Sequence, residues 1–320
     1  MCVSQIDNPP VSRGRIDIID IARAVALFAM VIYHFTWDLE FFNYVERGLT
    51  GHGGWRIFAR AIASSFLFLV GVSLVLANGR GIRWQPFGKR LLQVVAGALA
   101  ITVATYFATP NSFVYFGILH HIAVASVLGL LFLRLPWFAT AALAIAVVAL
   151  PGFVATPLLD PKWLNWIGLF QTPPLSNDFV PLFPFFGAVL AGIAAARLAV
   201  DHGWVMRMRT WNAGLAPLSP LAAIGRHSLL FYLLHQPILF GLVFVFAQIA
   251  PADRTAVFHA DCQRSCIAER DAAFCERYCG CAQRELQRRD LFDVLMGGDP
   301  SETQMSAIRD VTRECSFRSE

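Results

Sequence analysis

Charge is what this chain has least of. Only 15% of its 320 residues are Asp, Glu, Lys or Arg and 56% are hydrophobic, whereas ordinary soluble domains run to about a quarter charged. That shortage excludes a conventional water-facing surface over most of the chain. Cysteine is almost missing from the first 250 residues, where Cys2 stands alone, so no disulfide or thiolate metal site is available within them. No internal repeat of the kind that marks many transporters is visible. A small-residue cleavage site is missing after the first apolar run, where His34, Trp37 and Asp38 stand instead, so that run reads as a retained helix rather than a signal peptide.

What is present is apolar sequence in membrane-length pieces. Runs near 18–36, 57–77, 91–108, 113–133, 136–155, 181–200 and 221–249 approach the roughly 20 residues that span a bilayer. Pro151 interrupts the fifth. The fold class is therefore all-α: a polytopic membrane bundle of about seven transmembrane helices, with a small Cys-rich extracytoplasmic tail. Three regions follow: a polar cytoplasmic segment 1–15, a membrane domain 16–250 and a soluble tail 251–320. Trp163, Trp166 and Phe170 mark the loop 156–180 as interfacial, with a short re-entrant or surface-lying helix expected.

The sidedness is read from charge. Alternating seven spans puts Arg13, Arg15, Arg80, Arg83, Lys89, Arg90, Arg134, Arg197, Arg207 and Arg209 on one side, and Arg47, Arg56 and Lys162 on the other. Ten against three is a positive-inside bias, which makes the N-terminus cytoplasmic. The first 250 residues carry net +7, which topology explains without nucleic acid, and the tail carries net −3. Six cysteines fall in the tail, on the side where disulfides persist. Cys262-x3-Cys266 and Cys275-x3-Cys279 each put two thiols on one helical face, as in two short helices stapled together. Zinc binding with His259 is the alternative, and the pairing stays open among three or fifteen arrangements.

Titratable residues inside apolar runs are the candidate site, because burying them in hydrocarbon is costly. His34 lies roughly 27 Å along the first span and Asp38 is one turn further. His52 sits among glycines in Gly51-His52-Gly-Gly-Trp55, and Asp178 immediately precedes the sixth span. With one of His120 and His121, placed roughly 10 Å below the outer surface, these residues are expected to converge on the outer half of the bundle. His235 is placed over halfway up the seventh span. An inner group holds Asp20, Arg23, Arg90, Arg226 and His227; Arg226 either pairs with Asp20 or meets an anionic ligand. For Asp20 and Arg23 an interface-level pair is the plainer reading.

Several ordered segments resemble one family. These are Ile16-Asp-Ile-Ile-Asp20-Ile-Ala-Arg23 with Tyr33-His34-Phe-Thr-Trp-Asp38; His52-Gly-Gly-Trp55 with Ser65-Phe-Leu-Phe-Leu-Val-Gly71-Val-Ser73; Tyr115-Phe-Gly117-Ile-Leu-His120-His121; Asp178-Phe-Val-Pro181-Leu-Phe-Pro184; and Gly225-Arg226-His227-Ser228 through Tyr232 to His235-Gln236-Pro237. Over about residues 16–245 the chain is similar to the heparan-alpha-glucosaminide N-acetyltransferase catalytic-domain family in its compact bacterial form. The Cys-rich tail is not part of that pattern.

The resemblance implies a bacterial inner-membrane enzyme that moves an acetyl or other acyl group from cytosolic acetyl-CoA to an extracytoplasmic glycan or amino sugar. It puts the central histidine of the chemistry on His52. Asp38 or Asp178 is expected to orient that imidazole, with His34 and His120 in support, and Asn111 or Gln171 as further oxyanion candidates. Arg226, His227, Arg90 and His235 are the expected acyl-CoA contacts, with Arg80 and Arg83 as topology determinants. No metal is expected, and self-association stays open. A proton-coupled transporter using the same histidines, or a scaffold working through the tail, are the alternatives.

Overall fold

The computed structural model describes residues 16–79, 81–210, 215, 217–298 and 300–320. The expected cytoplasmic segment 1–15 and Arg80 lie outside the described residues. Every regular element among the described residues is a helix. The chain divides into two compact units, one from the described part of Met1–Met30 with Phe58–His235, the other from Val31–Ile57 with Gln236–Glu320.

The apolar runs become helices. They are α1 (Asp17–Phe41), α2 (Gly53–Asn78), α3 (Trp84–Ala108), α4 (Ile118–Gly129), α5 (Trp137–Ala149) and α6 (Leu182–Asp201); after the short α7 (Trp204–Thr210) and α8 (Ser219–Arg226) comes α9 (Ser228–Ile249). Among the described residues five of these, α1, α2, α3, α6 and α9, are long and apolar enough to cross a membrane, and the stretches Ile118–Phe132 and Trp137–Gly152 are shorter apolar helices. The chain is a membrane protein. Exposed Leu92, Leu99, Val103 and Phe107 form one stripe on α3, and Leu230, Leu234, Ile238, Leu242 and Val245 form another on α9. Such stripes suit lipid rather than water.

In the first unit the core is an interlock of α2, α4, α5 and α6. Leu67 and Leu74 meet Ile118, Ala125, Val189, Leu190 and Ile193, all buried. α2 and α6 approach at Gly71 and Gly192, where a Cβ would strike the backbone at Val189 and Phe68 respectively. A second cluster joins Val94 and Ala98 of α3 to Leu119 and Ala123 of α4, with Leu229 and Leu233 of α9 against it.

The second unit holds the tail: α10 (Arg254–Ile267), α11 (Ala272–Arg288), α12 (Phe292–Gly297) and α13 (Glu302–Ser319). Asp253, Asp271 and Ser301 cap α10, α11 and α13 with their side chains, which satisfies amides that have no partner within the helix. Cys262–Cys279 and Cys266–Cys275 staple α10 to α11, and Cys281–Cys315 ties α11 to α13. The twin spacing thus makes the expected hairpin, and the sulfurs that zinc would need are consumed. Leu286, Phe292, Met296, Ile308 and Val311 fill its core.

Several boundaries differ from expectation. The last apolar run breaks at His227 into α8 and α9, so His235 stands only eight residues into α9. α4 starts at Ile118 rather than 113, because Gly117 is its N-cap; His120 and His121 are therefore in its first turn and not deep within a span. α1 continues to Phe41, which makes Asp38 helical. The loop 156–180 forms no α-helix; Pro157–Leu159 and Asn165–Ile167 are single 3-10 turns, where prolines and Gly168 prevent propagation.

Candidate functional site

His52 is exposed and stands between the short turn Leu49–Gly51 and the start of α2. Its Nδ1 lies 2.7 Å from the Gly48 carbonyl oxygen. A carbonyl can only accept, so Nδ1 carries the proton and the lone pair is on Nε2, the tautomer a general base requires. Gly48 has φ of 75°, a conformation glycine adopts without steric cost. The loop is fixed from α1 by Glu40, whose Oε1 accepts from the Gly48 amide at 2.5 Å and whose Oε2 accepts from the Thr50 amide at 2.9 Å and the Thr50 hydroxyl at 2.7 Å. The orienting hydrogen bond on His52 thus comes from a backbone carbonyl, where sequence put Asp38 or Asp178. Glu40, one step removed, was missed: its sequence position reads as an interface carboxylate, and nothing periodic links it to residues eight and ten further on.

Asp38 is fully buried. Its Oδ1 accepts from Gln236 Nε2 at 2.7 Å, while Asp38 Oδ2 and Gln236 Oε1 are buried with no hydrogen-bond partner among the described residues. His34 stands edge-on to Tyr33, which also faces Trp55. These residues share the second unit with His52.

In the first unit Asp178 closes onto the start of α4. Its Oδ2 accepts from the Ile118 amide at 3.1 Å and from the Tyr232 hydroxyl at 3.3 Å. Burial pushes its carboxyl above the usual carboxylate range, and the bonds from Ile118 and Tyr232 oppose that. His120 Nδ1 accepts from the Gly117 amide at 3.2 Å, so its proton is on Nε2, which lies 3.2 Å from the Thr102 hydroxyl oxygen; that hydroxyl donates to the Val114 carbonyl at 2.7 Å. Both ring nitrogens are thereby spent on holding α3 to the head of α4. Fully buried His121 donates through Nδ1 to the Val180 carbonyl at 3.1 Å. His235 donates through Nδ1 to the Tyr232 carbonyl at 2.6 Å and stacks on Phe231. Tyr232, inside the segment that supplied His235, was not singled out from the sequence. Asn111 is exposed in a turn, and Gln171 is held by the Asp160 carboxylate through its amide and by the Ala155 carbonyl.

Two adjoining cavities of the first unit, of about 580 Å³ and about 790 Å³, share Arg23 and Arg90 as lining. Arg83 and Ser73 face the first; Arg226 and His227 face the second. Arg23 is held by Asp20 at 2.5 Å and by the Ser73 hydroxyl at 2.6 Å, the expected structural pair. Arg226 does not pair with Asp20; its nearest carboxylate is Asp17, at 4.0 Å. His227 Nδ1 lies 3.0 Å from the Ala223 carbonyl oxygen, closing α8. Cavities of this size hold a sizeable organic ligand, and guanidiniums suit phosphate oxyanions.

Residues 15–237 match the family described as heparan-alpha-glucosaminide N-acetyltransferase, catalytic. No curated protein and no solved structure matches the chain.

Proposed function

The chain belongs to the heparan-alpha-glucosaminide N-acetyltransferase catalytic family, a family of membrane acetyltransferases, and from that premise we propose that it moves an acetyl group from cytosolic acetyl-CoA to the amine or hydroxyl of an extracytoplasmic amino sugar or glycan. The observation that carries the reading is the pinned His52 imidazole, with Nδ1–H on the Gly48 carbonyl and Nε2 left to work. As the acceptor nitrogen or oxygen attacks the thioester carbonyl, Nε2 takes its proton; the new C–N or C–O bond forms, the C–S bond breaks, and the imidazolium returns the proton to the departing thiolate. An imidazole suits this because its ordinary pKa is near neutrality. A covalent acetyl-histidine on Nε2 followed by transfer uses the same geometry.

The donor is assigned to the two arginine-lined cavities. Arg90 and Arg226 meet the CoA phosphates, with His227 at the mouth, and Arg23 with Asp20 keeps the wall in place. Asp38 with Gln236, His34, and Asp178 with Tyr232 and His120 are assigned to positioning. In this reading the basic loops face the cytoplasm of a bacterial inner membrane and the disulfide-bonded tail faces the periplasm, a sidedness that the ten-to-three asymmetry supports.

Incubating the purified protein with acetyl-labelled CoA and glucosamine tests this. Label is expected in N-acetylglucosamine, and an acid-labile acetyl-protein in the absence of acceptor selects the covalent route. Arg226→Ala is expected to weaken CoA binding by about 1.5–3 kcal/mol, the loss of one charge-assisted hydrogen bond. A folded protein that neither binds CoA nor transfers acetyl contradicts the proposal.

A further inference from the structure

The second unit contains a third cavity, of about 570 Å³, walled partly by α1 and α9 and partly by the tail. Trp37, Glu40, Asn43 and Arg47 come from α1 and the loop after it, Gln248 from the end of α9, and Arg254 from the start of α10. Met296 and Gly297 of α12 complete the wall. The family match ends at 237, so Gln248, Arg254 and the α12 wall lie outside the matched residues.

We infer that this cavity binds an oxyanion-bearing saccharide, so that the tail is a substrate-recognising element. Three features carry this. The lining combines an indole, stacked on Phe41 with ring centroids 5.6 Å apart, with two side-chain amides and two guanidiniums; a flat ring offers a sugar an apolar face with a polar edge. The guanidiniums retain donors. Arg47 uses three of its five N–H groups, all on neutral oxygens: Asn43 Oδ1 at 3.1 Å, the Leu295 carbonyl at 3.3 Å and the Met296 carbonyl. Arg254 uses one, at 3.3 Å to Asp293, which is itself 85% exposed. Lastly, Glu40 is shared: it lines the cavity and holds Gly48 and Thr50, the loop that fixes the His52 tautomer. The inference rests on the acetyltransferase reading only for naming the saccharide as acceptor; binding itself does not depend on it.

Direct binding to the full-length detergent-solubilised protein, without acyl donor, separates the two. Calorimetric titration compares glucosamine with glucosamine 6-phosphate and with a glucosamine–uronic acid disaccharide. A charged probe is expected to bind at least tenfold tighter than glucosamine, and whichever does so identifies the oxyanion as phosphate or carboxylate. Arg254→Ala is expected to reduce that preference roughly tenfold, as for loss of one charge-assisted hydrogen bond, and Arg254→Lys to restore part of it. Asp293→Asn, which removes the arginine's partner but keeps its charge, is expected to hold or raise the preference. Equal affinity for charged and neutral probes, no binding of any probe, or equal losses in Arg254→Ala and Asp293→Asn each overturn the inference. Charged-probe binding without acetyl transfer would leave it standing and sink the enzymatic reading alone.

Discussion

Glu40 reaches His52 only through the loop that it holds. Its carboxylate collects two amides and a hydroxyl from one turn of loop, and that turn presents the carbonyl which selects the His52 tautomer. Glu40→Gln keeps the volume but replaces one acceptor oxygen with a donor, so one side of the loop comes loose. Displacements of about 1 Å cost as much as 10²-fold in rate; a fall in kcat of roughly tenfold or more is therefore expected, with KM for the acyl donor unmoved. Steady-state kinetics in both substrates checks this, and a change confined to donor KM would place Glu40 elsewhere. His52 stands out in the sequence as a candidate because a titratable group among three glycines is conspicuous. Glu40 and Gln236 do not, because their partners lie in other elements and no spacing announces them.

At the scale of elements, hydropathy located every apolar helix but not its ends. The break at His227 and the late start of α4 at Gly117 depend on capping and on local hydrogen bonds such as His120 to the Gly117 amide, which an apolar average does not register. Helix-to-helix contact was equally invisible. Gly71 and Gly192 permit α2 and α6 to touch backbone to backbone, the arrangement by which membrane helices pack when no hydrophobic effect drives them together. Gly192→Ala forces a methyl into the Phe68 carbonyl and is expected to destabilise the first unit by about 1–3 kcal/mol. Thermal melting in detergent reads this as a lowered midpoint; an unchanged midpoint would mean that the two helices are not held at this crossing.

For the whole molecule, two stabilising principles divide the chain. The first unit relies on apolar interlock, and the tail helices of the second on three disulfides with charge pairs around Glu285, which meets Arg288, Arg289 and Arg318. The hydrogen bond from Arg288, then the three arginine charges, hold the Glu285 carboxyl below its usual range; the Phe274 amide that Asp271 caps does the same for Asp271. A carboxylate with a depressed folded pKa contributes stability that is present above its unfolded pKa and lost as pH falls through the folded one. Burial pushes Asp261 the other way, one carboxylate against two. The tail is therefore expected to lose stability as pH drops below about 4, with its disulfides intact. Melting followed through the Met296 and Met305 methyl resonances checks this, and a tail equally or more stable at pH 3 contradicts it. The sequence revealed the stapled hairpin through its twin spacing, but the third bridge and the cavity the tail shares with α1 and α9 depend on folding that no spacing encodes.

The most direct test of the account is acetyl transfer by His52→Ala. A positioned general base contributes about 10²–10⁴-fold, so transfer from labelled acetyl-CoA to an amino sugar is expected to fall at least to that lower bound while CoA affinity is retained. His34→Ala, measured beside it, is expected to lose less. Near-normal transfer by His52→Ala, with transfer abolished by His34→Ala or His120→Ala, would move the chemistry into the membrane helices and contradict the account.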